Sequence, residues 1–332
     1  MNVKKKGISL IVLVITIIVI IVLAVAVILS IANNNPIENA KKARFLNDLK
    51  TIQEEINLYN SKAYADAKSN GTEYVPAKIE DIKSAEKYKE KIEICSGKVV
   101  LKNEVTDEEK KWAEESNIKV LIPNEYQEVE YIESTGTQWF NTGVYPTNKT
   151  RAEIDIELTK VENSFKFIMG SRNTTHDEFN RFDLIKYEIN DEIHFNFGYT
   201  RNATRVVLEK YIPSAGKRSK YIVDGKEQKL IIDEKLIEYS NVDNSEIKIN
   251  YPLYLLTTIY GDQVNMESTK TYAVSAKLYS TTIYDDDKLV RDFVPCYRKS
   301  DGVIGLYDRV ENKFYTNSGT GSFQKGEDIN NI

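Results

Sequence analysis

The sequence predicts a mainly β protein that is carried on an N-terminal α-helical stem. Three patterns support this: an uncharged aliphatic run near the start, a helical apolar stripe after it, and a long C-terminal region in which apolar and polar residues alternate. These patterns divide the 332 residues into a basic leader (1–7), a transmembrane stem helix (8–35), an amphipathic helix with a small α+β head (36–120), and an antiparallel β-sandwich (121–328).

The composition excludes several functional classes. The formal net charge of -5 disfavours a nucleic-acid partner, because such proteins carry basic surfaces. Cys95 and Cys296 are the only cysteines, and His176 and His194 the only histidines, so we expect free thiols and no Cys- or His-based metal centre. The chain has neither a glycine-rich phosphate loop nor a nucleophile elbow, and we expect no cofactor. Its 21 tyrosines favour a β-rich body.

The aliphatic run spans residues 8–32 and contains no charge. As an α-helix it rises ~37 Å, which exceeds the ~30 Å hydrocarbon core of a bilayer. The alternative is a cleaved secretory signal, but the apolar core of such a signal is only about 7–15 residues long. The lysines at 4–6 stay on the cytoplasmic side, so we expect a single-pass protein of the cell membrane, N-terminus inside and C-terminus outside.

The three lysines, the following glycine and the aliphatic helix together resemble the leader of type IV pilins and pseudopilins. In that family a prepilin peptidase cuts after the glycine, so the resemblance implies a cut between Gly7 and Ile8 and association with other pilin-like subunits in a pilus. Val12 stands where that family carries a glutamate that compensates the new terminal amine. Because an uncompensated ammonium is costly in an apolar bundle, we expect a minor or tip subunit. The alternative is an uncut N-terminal anchor.

A second helix is predicted from Pro36 to about Lys68, with Pro36 behind an asparagine cap. Its apolar residues step by 4, 3, 4, 3 and 4 positions, which places them on one stripe. They are Phe45, Leu49, Ile52, Ile56, Tyr59 and Ala63. We expect this stripe to pack on the small domain that follows, the alternative being a neighbouring stem.

The remainder of the predicted head mixes short elements. A turn is expected at residues 96–97, a strand at 98–102, and a helix at 106–116 that begins with a capping box on Thr106 and Glu109. Trp112 should anchor this helix to the strand. Cys95 is interpreted as a small buried apolar residue.

Beyond residue 122 the alternation has period two, with turn signals about every ten residues. The clearest strand alternates Ile154, Ile156 and Leu158 with acidic residues. Asp224-Gly225 predicts a tight hairpin between two strands, and residues 253–260 and 272–284 predict long further strands. These strands are enough for two packed sheets.

Three segments of this region are similar to concanavalin A-like, laminin-G-like jelly-roll domains of low-GC Gram-positive bacteria and their phages. The segments are EYQEVEYIESTGTQWFNTG (125–143), KLVRDFVPCYR (288–298) and GVIGLYDRVENKFYTNSGTGSF (302–323). The resemblance implies a jelly-roll β-sandwich at the cell surface that binds a carbohydrate or a surface protein, with a role in adhesion.

The same resemblance raises an enzymatic alternative. Glu153, Asp155 and Glu157 match the carboxylate strand of the glucanase branch, and alternate strand residues point the same way. The resemblance makes Glu153 and Glu157 the candidate catalytic pair; a retaining glycosidase holds its two carboxyls about 5 Å apart. Any outward polar strand gives the same pattern, however, and Trp139 is the sandwich's sole tryptophan. We therefore expect a protein without catalytic activity; a purely structural filament-tip subunit is the third interpretation.

Metal sites have little support in the sequence. Asp285, Asp286 and Asp287 could supply oxygens to Ca²⁺, but an acidic trio of this kind is more typical of a solvated hairpin turn. His176 falls in a polar loop and His194 in a strand, and neither has a second ligand at metal-binding spacing.

Overall fold

The computed structural model describes residues 36–162, 164–173, 180–186, 193–198, 211–237, 246–260, 263–264 and 272–329. The chain forms two compact units, of which the first ends at Leu121 and the second begins at Ile122. The predicted leader and transmembrane segment, with Gly7, Ile8 and Val12, lie outside the described residues, as does His176. Within the described ranges, no helix combines the length and the hydrophobicity needed to cross a bilayer.

The first unit begins with a 35-residue helix, α1 (Pro36–Asn70). It ends where the sequence predicts, because Gly71 adopts a φ of +67°, which glycine tolerates without a steric cost. Four members of the predicted stripe, Phe45, Leu49, Ile52 and Ile56, are buried in the core of this unit. The expectation that the stripe packs on its own small domain is confirmed.

Short elements complete the first unit. Two 3-10 helices (Ile79–Asp81 and Lys83–Tyr88) precede the hairpin of β1 (Ile92–Cys95) and β2 (Lys98–Leu101), and α2 (Asp107–Glu115) follows. Ser96 and Gly97 form the hairpin turn with φ values of 50° and 76°, and Thr106 and Glu109 form the predicted capping box. The ring of Trp112 lies 5.9 Å from that of Phe45, so its aromatic partner is on α1.

The second unit consists of short strands. Their bounds in chain order are β3 (Tyr126–Glu128), β4 (Ile132–Thr135), β5 (Phe140–Asn141), β6 (Thr150–Leu158), β7 (Lys166–Arg172), β8 (Arg181–Lys186), β9 (Ile193–Gly198), β10 (Arg218–Asp224), β11 (Lys229–Ile232), β12 (Lys235–Ile237), β13 (Tyr254–Leu255), β14 (Ile259–Tyr260), β15 (Gln263–Val264), β16 (Ser275–Asp285), β17 (Lys288–Arg298), β18 (Ile304–Asp308), β19 (Lys313–Thr316) and β20 (Gln324–Lys325).

The described strands of the second unit form two sheets. The larger has eleven strands in the order β12-β11-β10-β6-β16-β17-β18-β19, with β3, β4 and β20 attached to its side. The smaller has seven, in the order β15-β14-β7-β13-β5, with β8 and β9 continuing from β7. Both sheets contribute to one apolar core, in which Ile154 of β6 and Phe182 of β8 are completely buried. The predicted mainly β architecture, with two packed sheets, is confirmed.

Two local predictions in this unit need correction. The predicted hairpin of β10 and β11 is confirmed, but its connection is a four-residue loop and not a tight turn at Asp224-Gly225, because Asp224 accepts the N–H of Glu227 (3.0 Å) and Gln228, not Gly225, takes a positive φ of 51°. The long strand predicted over 253–260 is broken at Leu256, whose φ is 67°. This break lets the chain pair with β7 antiparallel through β13 and parallel through β14.

The three sequence motifs of the second unit meet in space. Strand β17 of the second motif pairs with β3 of the first and with β18 of the third. The Asn317 side chain then joins the first and third motifs: its Oδ1 accepts the N–H of Trp139 (3.2 Å), and its Nδ2 donates to the carbonyl of Gly321 (2.9 Å). We call the contact between residues 137–139 and 317–321 the Asn317 clasp.

Candidate functional site

The predicted acidic residues lie at the centre of the larger sheet. Along β6, every second side chain is buried in the core, and the alternate positions carry Glu153, Asp155 and Glu157 on the opposite face. Strand β10 flanks β6 on one side and β16 on the other. Because strand side chains alternate between faces, the three carboxylates share the outer face of the sandwich, as the sequence predicts.

Each of these carboxylates bonds to side chains of the sheet itself. Asp155 accepts two hydrogen bonds from the guanidinium of Arg218, at 2.9 and 2.7 Å. Glu153 pairs with Lys220 (2.7 Å) on β10 and with Arg151 (3.2 Å) on its own strand. Opposite charges placed across neighbouring strands stabilise their pairing by about 0.2–1 kcal/mol. The acidic residues therefore help to hold β6 in register with β10.

Glu157 connects β6 to the other neighbouring strand. One of its oxygens accepts from Lys277 (3.1 Å) and the other from the hydroxyl of Tyr279 (3.1 Å). Burial and this hydrogen bond raise the pKa of Tyr279 to about 12, so the phenol stays protonated and remains a donor at neutral pH. The hydrogen bond to Glu157 also raises the pKa of Lys277.

Two tyrosines extend this polar face. The rings of Tyr131 and Tyr279 are 5.5 Å apart at an angle of 59°. The guanidinium carbon of Arg218 lies 3.7 Å from the centre of the Tyr279 ring, and the Lys277 ammonium lies 4.9 Å from that of Tyr131. Both tyrosines are half-buried, so part of each remains accessible. We call Tyr131, Tyr279, Arg218, Lys277 and Glu157 the tyrosine patch.

Sequence reasoning missed the tyrosine patch for a structural reason. The pairing of β16 with β6 shifts register between Leu278 and Ser280, and this irregularity brings Tyr279 beside Glu157. Tyr131 is far from Tyr279 in the chain and reaches it because β4 pairs with β16. The tyrosine-rich composition was the only sequence signal available.

The predicted acidic trio forms a hairpin turn between β16 and β17. Asp286 and Asp287 take positive φ values of 48° and 64°. Their carboxylates pair with Lys149 (2.7 Å) and Lys226 (2.8 Å), respectively, and the oxygen of Asp285 accepts from Thr147. Across the part of the chain that the structure describes, no group of three His, Cys, Asp or Glu side chains could hold a metal ion.

The remaining singled-out residues are spread over both units. His194 is half-buried in β9 and pairs across the sheet with Ile185. Cys95 and Cys296 are buried and are not joined in a disulfide, and burial raises the pKa of Cys296 to about 12, so its thiol stays protonated at neutral pH. Trp139 is partly buried against the core, and its ring lies close to Gly319 within the Asn317 clasp.

A second polar cluster, which sequence reasoning also missed, lies on the smaller sheet. Asp183 is fully buried and accepts two hydrogen bonds from Arg172, at 2.7 and 3.0 Å. The Arg172 guanidinium lies 4.6 Å from the centre of the Phe167 ring. At Gly170 a Cβ would come within 2.4 Å of the Thr258 hydroxyl, so the backbone needs glycine there. The Arg172 guanidinium and the Asp183 carboxylate therefore satisfy each other within the smaller sheet.

Comparisons with known proteins give weak likenesses. No family model matches the sequence, and neither does any curated protein. Among solved structures, the chain is similar to Trypanosoma rangeli sialidase in complex with sialic acid, with 8% identity and a TM-score of 0.28 over 43% of this chain and 21% of the sialidase. It is also similar to the carbohydrate recognition domain of Emp47p, with 12% identity and a TM-score of 0.28 over 49% of this chain and 89% of that domain. At these values neither likeness carries an argument about function.

Proposed function

We propose that this chain is a membrane-anchored, pilin-like surface protein whose β-sandwich binds a glycan outside the cell and thereby serves in adhesion. The hydrophobic run at residues 8–32 is the anchor, and the lysines at 4–6 orient it with the sandwich outside. The sandwich is proposed to be a jelly roll of the concanavalin A-like kind, on the motif resemblance described above.

The tyrosine patch is the observation that supports binding. A pyranose ring presents a face of C–H groups that packs on an aromatic ring, and its hydroxyls need both donors and acceptors beside that ring. Tyr131 and Tyr279 supply the aromatic surface beside the Arg218 guanidinium. Lys277 supplies a donor with the N–H groups that it does not use for Glu157, and the hydroxyl oxygen of Tyr279 supplies an acceptor. These groups hold one another in place, so a ligand would meet a preorganised surface.

The acidic residues of β6 are proposed to be structural and not catalytic. A retaining glycosidase needs one carboxyl to attack the sugar and a second to protonate the leaving group, so both must be able to reach the same bond. In this structure Glu153 bonds to Lys220 and Arg151, and Glu157 bonds to Lys277 and Tyr279. These contacts occupy the oxygens that the reaction would need.

The anchor is proposed to raise the avidity of a binding face whose single-site affinity is weak. Tethered copies raise the local concentration of the face, and several copies on one cell or filament bind a polyvalent ligand more tightly than one copy does. Processing between Gly7 and Ile8 and assembly with pilin-like subunits are proposed on the leader resemblance; Val12 favours a minor or tip position.

The test is a glycan array probed with the full chain in lipid nanodiscs, together with a hydrolysis assay on mixed-linkage glucans. We expect specific binding to at least one glycan class and no turnover, with Glu153→Gln behaving as wild type in both assays. Turnover that Glu153→Gln abolishes would favour the hydrolase. The absence of any glycan ligand, with other pilins co-purifying, would favour the structural subunit.

A further inference from the structure

The hairpin of the first unit has an open backbone edge. In β2, Val99 is the partner of Ile94, and its N–H donates to the side chain of Gln53. Leu101 is the partner of Ile92; its N–H donates to the carbonyl of residue 119, and its carbonyl accepts the N–H of residue 121. Residues on an antiparallel strand bond alternately to one side and the other. The N–H and C=O groups of Ile92 and Ile94 therefore point away from β2, and among the described residues no strand pairs with β1 on that side.

A groove of about 760 Å³ lies along this edge. Its lining includes Ile92, which is fully buried, and residues 74–80. Tyr74 and Val75 in this lining are 37% and 58% exposed, although both are large apolar residues. Ile94 is half-buried, so the accessible part of the edge is at Ile94. The volume lies within the range of protein ligand pockets, about 300–1,000 Å³.

Glu93 is the charged residue of β1 itself, and its charge indicates which kind of strand the edge accepts. The groove is also lined by Lys78, Lys89 and Lys102, of which Lys89 donates to Glu86 and Lys102 to the carbonyl of Lys89. Glu93 lies between Ile92 and Ile94 on the opposite face of β1, and no ion pair of Glu93 occurs in the described part of the chain. In an added antiparallel strand, the residue opposite Glu93 would lie within about 5 Å of it, where an opposite charge stabilises the pairing and a like charge opposes it. Its two neighbours would point with Ile92 and Ile94 toward the apolar groove.

We propose that the first unit binds an extended peptide with an apolar-basic-apolar pattern by adding it as a third strand on β1. The peptide residue opposite Ile94 exchanges two backbone hydrogen bonds with it, the basic residue faces Glu93, and the apolar side chains fill the groove beside Tyr74 and Val75. A second copy of the chain fits less well. Symmetric pairing of two β1 strands would place Glu93 opposite Glu93, Cys95 or Lys91; the first two supply no cation, and the Lys91 ammonium already donates to Glu109 (2.6 Å).

The experiment compares two synthetic nonapeptides, one with a central Val-Lys-Val and the other with Val-Glu-Val, binding to the full chain in nanodiscs. We expect the lysine peptide to bind roughly five- to tenfold more tightly by fluorescence anisotropy. Glu93→Lys should reverse this preference. The matched control Glu90→Lys, an exposed position outside β1, should leave it unchanged.

Two further measurements test the backbone pairing directly. N-methylation of the peptide amide that faces Ile94 should abolish binding, and hydrogen exchange over residues 92–95 should slow when the unmodified peptide is bound. Equal affinity for the two peptides, binding that survives N-methylation, no binding of either peptide, or concentration-dependent self-association that protects residues 92–95 would each overturn the proposal. Because the sandwich is not involved, these outcomes are independent of the glycan array.

Discussion

The Asn317 clasp offers a stability test for the contact that joins the sequence motifs of the sandwich. We consider Asn317→Asp, which keeps the shape of the side chain and replaces its NH2 group by an oxygen. The retained Oδ1 can still accept the N–H groups of Trp139 (3.2 Å) and Gly319 (2.8 Å). The new oxygen, however, would face the carbonyls of Gly321 and Thr320, to which Nδ2 now donates at 2.9 and 3.4 Å.

The magnitude follows from the two donors that are lost. An acceptor left without its partner costs about 1–3 kcal/mol when buried, and this loop is partly exposed, so we expect a total of roughly 2 kcal/mol. For a domain of this size, that corresponds to a fall in Tm of about 4–8 °C. Protonation of the introduced carboxyl restores one donor, so the loss should shrink as the pH falls below about 4.

The assay is thermal unfolding of the full chain in detergent micelles, followed by fluorescence in a Trp112→Phe background so that Trp139 is the reporter. Asn124→Asp, which makes the same chemical change at an exposed position, is the control and should alter stability by no more than about 0.5 kcal/mol. Equal Tm values for Asn317→Asp and this control would show that the side-chain bonds of the clasp contribute nothing to stability.

Three other predictions concern the anchor, the head and the acidic turn. N-terminal mass spectrometry of the native protein from cells with an active prepilin peptidase should find a chain that begins at Ile8, and an intact Met1 or Asn2 would refute processing while leaving the anchor interpretation in place. Hydrogen bonds from Lys87 and Tyr88 lower the pKa of Asp48 below its ordinary value near 3.8. A lowered pKa gives stability that is present above the ordinary value and is lost as the pH falls through the folded-state value, so Asp48→Asn should flatten the acid unfolding of the head. The substitution Asp66→Asn, at an exposed position on the same helix, should leave the acid unfolding as it is in the wild type. Equal dependence of unfolding on pH in the two variants would contradict this account. Calcium should leave the Tm of the protein unchanged, because Lys149 and Lys226 occupy the carboxylates of Asp286 and Asp287; a Ca²⁺-dependent rise that Asp286→Asn removes would contradict this.

The features predicted correctly from the sequence are those set by neighbouring residues. The stripe from Phe45 to Ile56 follows helical periodicity, the capping box of Thr106 and Glu109 lies within four residues, and the alternation of β6 places Glu153 and Glu157 on one face. Each requires only local geometry.

The features that were missed depend on contacts between distant residues. Leu256 breaks a β-rich run because β7 is available on both sides of the kink, and Tyr279 reaches Glu157 through a register shift with β6. The ion pair of Arg172 and Asp183 depends on the register of β7 with β8. No local pattern marks these positions, since the partner strand determines them.

Affinity measurements on the tyrosine patch test the proposed function most directly. The glycan that binds best on the array is titrated against Tyr131→Ala and Tyr279→Ala, with Tyr145→Ala, an exposed tyrosine of the same unit, as the control. We expect both patch variants to lose about tenfold or more in affinity, equivalent to about 1.4 kcal/mol, while the control keeps wild-type affinity. Wild-type affinity in all three variants would place the glycan elsewhere on the sandwich and contradict the assignment.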